Sequence, residues 1–172
     1  VCSSDLHILP DFDNRLTDSI EFLIDGAVWF DAFGFVIGGA HFQITKATMT
    51  ISDGIVTLSN APVMVITLDS LNLFAGVGAK LNSESSPTGI VTDGAIGFSV
   101  TGGGLKMAVA RPAGLGAGDK TAYTALEVSL ANASLVGIDN FKFIASGKVL
   151  INRATNASGS QTTSRVNWTV AT

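Results

Sequence analysis

Ile96-Gly97-Phe98-Ser99-Val100-Thr101-Gly102-Gly103-Gly104-Leu105-Lys106-Met107-Ala108-Val109 is the stretch whose reading decides the fold. Large apolar side chains alternate here with Gly, Ser, Lys and Ala. A period of two puts one set of side chains on one face of a β-strand, whereas a helix would repeat every 3.6 residues. The glycine run Gly102-Gly103-Gly104, with Thr101 before it, reads as a hairpin turn pairing Ile96–Val100 with Leu105–Val109.

The same alternation recurs at Leu126, Val128 and Leu130, which sit between Ala125, Glu127 and Ser129. The interleaved positions are mostly Ala, Ser, Thr and Gly. A freely solvated face would carry more Lys and Glu, so both faces are expected to be partly covered. Turn signals at Asp53-Gly54 and Asp93-Gly94, and loops at Asn82–Pro87, Arg111–Lys120 and residues 156–164, punctuate the runs. The predicted strands are 19–30, 33–50, 55–58, 62–67, 70–80, 94–101, 104–111, 121–136, 141–152 and 165–171. Only Asp11–Asp18 could hold a helical turn. Strand follows strand with little helix to supply parallel crossovers. The expectation is an all-β chain with long antiparallel strands in a meander, forming an extended, curved or sandwich-like sheet.

Composition narrows the function classes. Charged residues are 14% of the chain, and ten Lys and Arg against fourteen Asp and Glu give a net charge of −4. Such a surface offers no basic patch for nucleic acid. Hydrophobic residues reach 47%, yet no apolar run approaches the ~18 residues of a membrane-spanning helix. The length fits one domain.

The first six residues, Val1-Cys2-Ser3-Ser4-Asp5-Leu6, resemble a translated sequencing adapter. They are expected to be extraneous to the fold, leaving residues 7–172 as a single β-rich module from a gene fragment of environmental DNA. Cys2 is the only cysteine. Without it the module has no disulfide, thiolate metal site or cysteine nucleophile. Removing Asp5 brings the net charge from −4 to −3.

Two stretches echo each other. Val28-Trp29-Phe30-Asp31-Ala32-Phe33-Gly34-Phe35 aligns with Val136-Gly137-Ile138-Asp139-Asn140-Phe141-Lys142-Phe143. After a one-residue slip, Ile44-Thr45-Lys46-Ala47-Thr48 meets Ile151-Asn152-Arg153-Ala154-Thr155. The echo suggests related edges of one module, or one element in successive modules.

Each candidate site residue has a plainer structural role. His41 is the one histidine away from the N-terminal segment, since His7 abuts it. Its neighbours Ala40 and Phe42 place it in a strand, on the face opposite Phe42. No Gly-x-Ser-x-Gly elbow accompanies it. Asp25 and Asp31 read as strand-flanking, Asp53 and Asp93 as turn residues, and Asp139 precedes Phe141. No local spacing pairs two carboxyls for acid and base work. Gly114-Leu115-Gly116-Ala117-Gly118 and the Gly102 run lack the Lys-Ser/Thr ending and the following helix of a phosphate loop. Trp29 and Trp168 read as core or interface aromatics. The Asn156-Ala157-Ser158 sequon matters only on a eukaryotic secretory route. No catalytic, cofactor-binding or metal-binding residue is assigned, no cofactor is expected, and the chain is read as non-enzymatic.

Several blocks carry a family resemblance: Phe33-Gly34-Phe35-Val36-Ile37-Gly38-Gly39-Ala40-His41-Phe42, Phe74-Ala75-Gly76-Val77-Gly78, Gly97-Phe98-Ser99-Val100-Thr101-Gly102-Gly103, Ala133-Ser134-Leu135-Val136-Gly137-Ile138 and Val166-Asn167-Trp168-Thr169. Together they span nearly the whole chain. They resemble repeat modules of giant, adhesin-like bacterial secreted or surface proteins. The resemblance implies an extracellular or cell-surface location and a structural spacer or scaffold with adhesive capacity. Its implied partners are neighbouring repeats of the same chain. One departure concerns the loop after the Phe74 block, where the family resemblance implies a calcium-loop-like insertion. Leu81-Asn82-Ser83-Glu84-Ser85-Ser86-Pro87-Thr88-Gly89 keeps one carboxylate, Glu84, too few for calcium's six to eight oxygens. The alternative reading is a binding module whose apolar face holds a lipid or other hydrophobic ligand. A fragment of an array is further expected to self-associate through unprotected strand edges.

Overall fold

A computed structural model describes residues 9–139 and 141–171. The N-terminal hexapeptide, Cys2 and His7 lie outside the described residues. The chain is all-β, as the alternation predicts. Its elements are β1 (Ile20–Ala32), β2 (Val36–Ser52), β3 (Thr57–Val77), β4 (Lys80–Leu81), β5 (Ile90–Val91), β6 (Ile96–Ala110), β7 (Ala122–Val136), β8 (Phe143–Thr155) and β9 (Gln161–Thr162). Seven of them form one antiparallel sheet in the order β1-β2-β3-β6-β7-β8-β9, with β4-β5 a separate small hairpin. The sheet is an open meander, not closed into a barrel. Among the described residues no helix is long and apolar enough to cross a membrane, and Asp11–Asp18 holds turns only.

The hairpin expected at Gly102–Gly104 is absent. Ile96–Val100 and Leu105–Val109 belong to the single strand β6, and their partners are β3 and β7. Gly102 takes φ +67 inside that strand. A residue in this left-handed region inserts a bulge without reversing the chain. The extra residue lets Val100 and Leu105 fall on one face despite their odd spacing, so both apolar runs stay together. The predicted strands 55–58, 62–67 and 70–80 merge in the same way into β3, which carries Asn60 at φ 49 and Ser70 at φ 52. The predicted strand 165–171 is also corrected. Those residues form a turn-containing strap, with Val170 and Ala171 amides donating to the Asn167 carbonyl. Asp25 and Asp31 lie within β1 and do not flank it.

Cross-strand partners share a face, so the register sorts the side chains. One row runs Ile24, Ile44, Ile66, Met107, Leu126 and Ile151, each the direct partner of the next. The adjacent row runs Gly26, Phe42, Leu68, Leu105, Val128 and Val149. Further along the same face lie Phe30, opposite Gly38, and Phe98, opposite Ala75 and Leu135. This is the bare face. Ile24, Val28, Phe30, Phe98, Val149 and Ile151 all remain exposed there.

The other face is strapped by three segments. Phe12 and Leu16, from the chain before β1, lie with Leu23 and Asp25. The β4–β5 hairpin packs Leu81, Ile90, Ala79 and Ala95 on Ile37 and Phe74. After β9, Val166, Trp168 and Ala171 join Ile51, Leu58, Ala61, Val63 and Ala110. The fully buried Phe74, Ile37 and Val166 belong to these clusters. The covering expected on both faces is thus found on one.

The sequence echo falls on corresponding hairpins. Val28–Phe35 ends β1 and turns into β2, while β7 ends at Val136 and β8 begins at Phe143. Ile44–Thr48 lies in β2 and Ile151–Thr155 in β8. Registers differ, since Ala32 pairs Val36 in one hairpin and Leu135 pairs Phe143 in the other.

Candidate functional site

Two places on the strapped face gather chemistry. The first is a charged chain across β1, β2 and β3. Pairing sets Ala27 opposite His41 and His41 opposite Asp69, and Asp25 lies two residues along β1 on the same face. The imidazole is held between carboxylates, with Nε2 2.7 Å from Asp25 Oδ1 and Nδ1 3.4 Å from Asp69 Oδ2. The second Asp25 oxygen accepts from Arg15 Nη1 at 2.7 Å, and Arg15 Nη2 donates to Asp13 at 2.7 Å. Arg15 hydrogen bonding, followed by His41, holds the Asp25 carboxyl below the usual range. Asp13, bonded by Arg15, is pulled down to about 2. Hydrogen bonds to Asp25 and then Asp69 raise the His41 pKa.

His41 does lie opposite Phe42's face, as its neighbours suggest. Its partners were invisible in the sequence because they are 16 and 28 residues away and meet it only through register. The geometry is that of a clamped cation. The two ring nitrogens point in opposite directions, so the carboxylates cannot converge on one ion beside the ring. Among the described residues no three His, Cys, Asp or Glu side chains gather as a metal site. The hydroxyl in this network, Ser70 Oγ, donates to Asp69 Oδ1 at 3.2 Å and not to the imidazole. A nucleophile and base need that second contact.

The second place is a groove of about 560 Å³ beneath the C-terminal strap. Val65, Ala108, Ala125, Leu150 and Trp168 give it apolar walls, and Lys106 and Glu127 stand at its polar side. Lys148 Nζ is 3.0 Å from Glu127 Oε1, and that hydrogen bond lowers the Glu127 pKa. Trp168 Nε1 is buried with no hydrogen-bond partner. Asp53 pins the strap: its carboxylate accepts from Ile55 and Val56 amides at 2.9 and 2.7 Å, and from Asn167 N at 2.6 Å. Asn152 Nδ2 donates to Val166 O at 2.9 Å from the sheet side.

The remaining sequence candidates take structural places. Asp31 Oδ1 accepts from Gly34 N at 2.7 Å and closes the β1–β2 turn. Asp93-Gly94 forms a turn before β6, with Gly94 at φ +73. Trp29 lies across Gly39, where a side chain would collide with the indole. The loop Asn82–Gly89 is folded on Asn82, whose Oδ1 accepts from Thr88 and Gly89 amides at 2.9 and 3.1 Å. Gly114 and Gly118 lie in the β6–β7 loop at positive φ. Asn156 Oδ1 accepts from Ser158 and Ser160 amides at 3.1 and 3.0 Å.

No protein-family model matches this chain, and neither a curated protein nor a solved structure does.

Proposed function

We infer that the chain is a non-catalytic structural spacer or scaffold module of a large exported, repetitive bacterial protein, whose adhesion would come from many weak contacts. The observation that carries this reading is the order of the sheet. The hairpin β1–β2 is echoed by β7–β8 after an interval of four long strands, β1, β2, β3 and β6. An even interval preserves the antiparallel alternation, so a further set of strands could add at β8 as β3 adds at β2. Length would then grow by about 4.8 Å for each added strand. The extracellular or cell-surface location rests on the family resemblance alone.

The test is a chain in which Met49–Thr155 is duplicated directly after Thr155. A continuous sheet should lengthen the particle by about 20 Å for four added long strands, measured by small-angle X-ray scattering. Its thermal midpoint should rise, because each repeat adds an interface. A particle with two independently melting units and the parent midpoint would sink the reading.

The groove under Trp168 supports a second reading, a binding module for a lipid or other hydrophobic ligand. Its volume suits a small molecule with an apolar body. In a Trp29→Phe background, Trp168 becomes the sole indole. Titration with a medium-chain fatty acid should shift its emission and saturate, and a flat response would remove this alternative.

A further inference from the structure

We propose that the bare face is the contact surface of a homodimer, in which a second copy of this chain lays its own bare face against it and two single sheets become a two-layer sandwich. This inference is independent of the spacer reading, which uses the sheet's edges.

The first support is the distribution of cover. All three covering segments lie on the strapped face, and no described segment crosses the rows from Ile24 to Ile151 and from Gly26 to Val149. Sheets with an apolar face are stable when that face meets another layer. The half-buried members of these rows are shielded by one another.

The second support is size. Six long strands spaced about 4.8 Å apart, each some 13 residues long at about 3.3 Å per residue, give a face of about 1,000 Å². The largest apolar patch on a typical monomer is about 300–600 Å², and a standard stable interface takes about 800 Å² from each partner. The outline of the bare face reaches the second.

The third support is the fit of the face to itself. Both central rows are free of charge, and the next row carries its charges towards the two edges. Lys46 stands on β2, with Glu21 of β1 reaching it at 2.6 Å, and Arg153 stands on β8. A two-fold axis parallel to the strands, passing between β3 and β6, lays each β1 over the other copy's β8. Glu21 then approaches the other copy's Arg153 at both rims, while Ile66 and Met107 meet near the axis. Aligned sheets pack in this way about 10 Å apart, with ribbed side-chain rows interdigitating. A lipid layer would use the apolar rows but gives no role to Glu21, Lys46 and Arg153 at the rims.

The experiment is sedimentation velocity on the full chain from low to high micromolar concentration, with three variants. The native chain and the strapped-face control Thr67→Asp should move from 17.7 kDa monomer towards twice that mass. Met107→Asp should stay monomeric while keeping a β-type circular dichroism spectrum. In a Cys2→Ser background, Ile66→Cys should be cross-linked between copies by a short bis-maleimide, since position 66 lies beside the axis but across the ~10 Å layer spacing, too far for a direct disulfide. That variant decides the matter even if Met107→Asp fails to fold. A native chain that stays monomeric throughout overturns the proposal. So does a dimer that survives Met107→Asp in folded form, which would place the contact at the sheet edges. Failure of Ile66→Cys to cross-link, or a folded monomer that instead binds phosphatidylcholine vesicles through Met107, overturns it as well.

Discussion

The two faces of this sheet are built from alternate residues of the same strands and have opposite fates. Lys106, Ala108 and Ala110 of β6 look toward the strap that carries Val166 and Trp168, while Leu105, Met107 and Val109 look the other way. The strapped face mixes small and charged positions such as Ala108 and Lys106 with large ones such as Ile37, Phe74 and Val63, and acquires its burial from segments laid across it. The bare face has large apolar side chains and no described segment over it. Hydrophobicity alone therefore does not locate the core of a single-layer sheet. Burial depends on where the chain's connecting segments can return.

The sharpest way to break this contrast is to delete matched aromatic rings. Phe74 is fully buried under the β4–β5 hairpin, whereas Phe98 on the bare face is 37% exposed. Phe74→Ala should cost about 3–5 kcal/mol of unfolding free energy, the range for a large aromatic removed from a packed core. Phe98→Ala should cost well under half as much in dilute solution. Urea denaturation checks both. Equal losses would mean that the bare face is already covered at the concentration used.

A smaller effect separates two glycines that share a left-handed backbone. Gly137 has φ +78, and a side chain there would run into the Ala95 carbonyl. Gly94 has φ +73 with open space around it. Gly94→Ala should cost about 1–2 kcal/mol from backbone strain alone. Gly137→Ala must add a steric collision with main chain and should cost clearly more. Thermal melts of the two variants give the order, and a reversed order would contradict the close approach of β7's end to β6.

The Asp53 clasp should matter next. Asp53→Ala removes the acceptor of three amides and should loosen the strap, so that Trp168 becomes more accessible to acrylamide quenching. Backbone hydrogen bonds, led by Asn167's, lower the Asp53 pKa. Its contribution is therefore present above the ordinary carboxylate value of 3.8 and lost as pH falls through the lowered value. Acid should release the strap before it unfolds the sheet. Unchanged quenching in Asp53→Ala would show that the apolar contacts suffice.

Alternation made the all-β class legible, because a period of two survives every bulge that keeps large side chains on one face. Strand number was not legible. The same glycines that signal a hairpin also permit a bulge, and Gly102 could be assigned only once β3 and β7 were seen to run past it on both sides. The Val166–Ala171 run looks like a strand because Val and Trp suit strands, yet Asp53, far back in the sequence, captures the Asn167 amide and holds the run as a strap. The charged chain was half legible: His41's face followed from its neighbours, but Asp25 and Asp69 join it through register, which no local pattern encodes. The groove under Trp168 was not legible at all, since it exists only where the strap crosses β3, β6, β7 and β8.

The smallest expected effect concerns His41, and it asks whether the strapped face's polar cluster behaves as a unit. The carboxylates of Asp25 and Asp69 favour the imidazolium, so the His41 pKa lies above its ordinary 6.5. A group whose folded pKa is raised gives stability that is complete below the unfolded value and fades as pH rises through the folded one. Asp25 works in the opposite sense. Its folded pKa lies below 3.8, mainly through Arg15 and then His41, so its share is present above 3.8 and fades as pH falls further. Both shares are complete only between pH 3.8 and 6.5. The cluster is exposed, and water and salt screen such pairs, so its effect on stability should be slight. The sensitive readout is the His41 ring proton followed by NMR. Its midpoint should lie above the ordinary value, fall on Asp25→Asn, and fall less on Asp69→Asn, whose oxygen is the more distant. High salt should narrow the differences. A native midpoint at or below 6.5, or a larger drop from Asp69→Asn than from Asp25→Asn, would show that the imidazole is not clamped as the register places it.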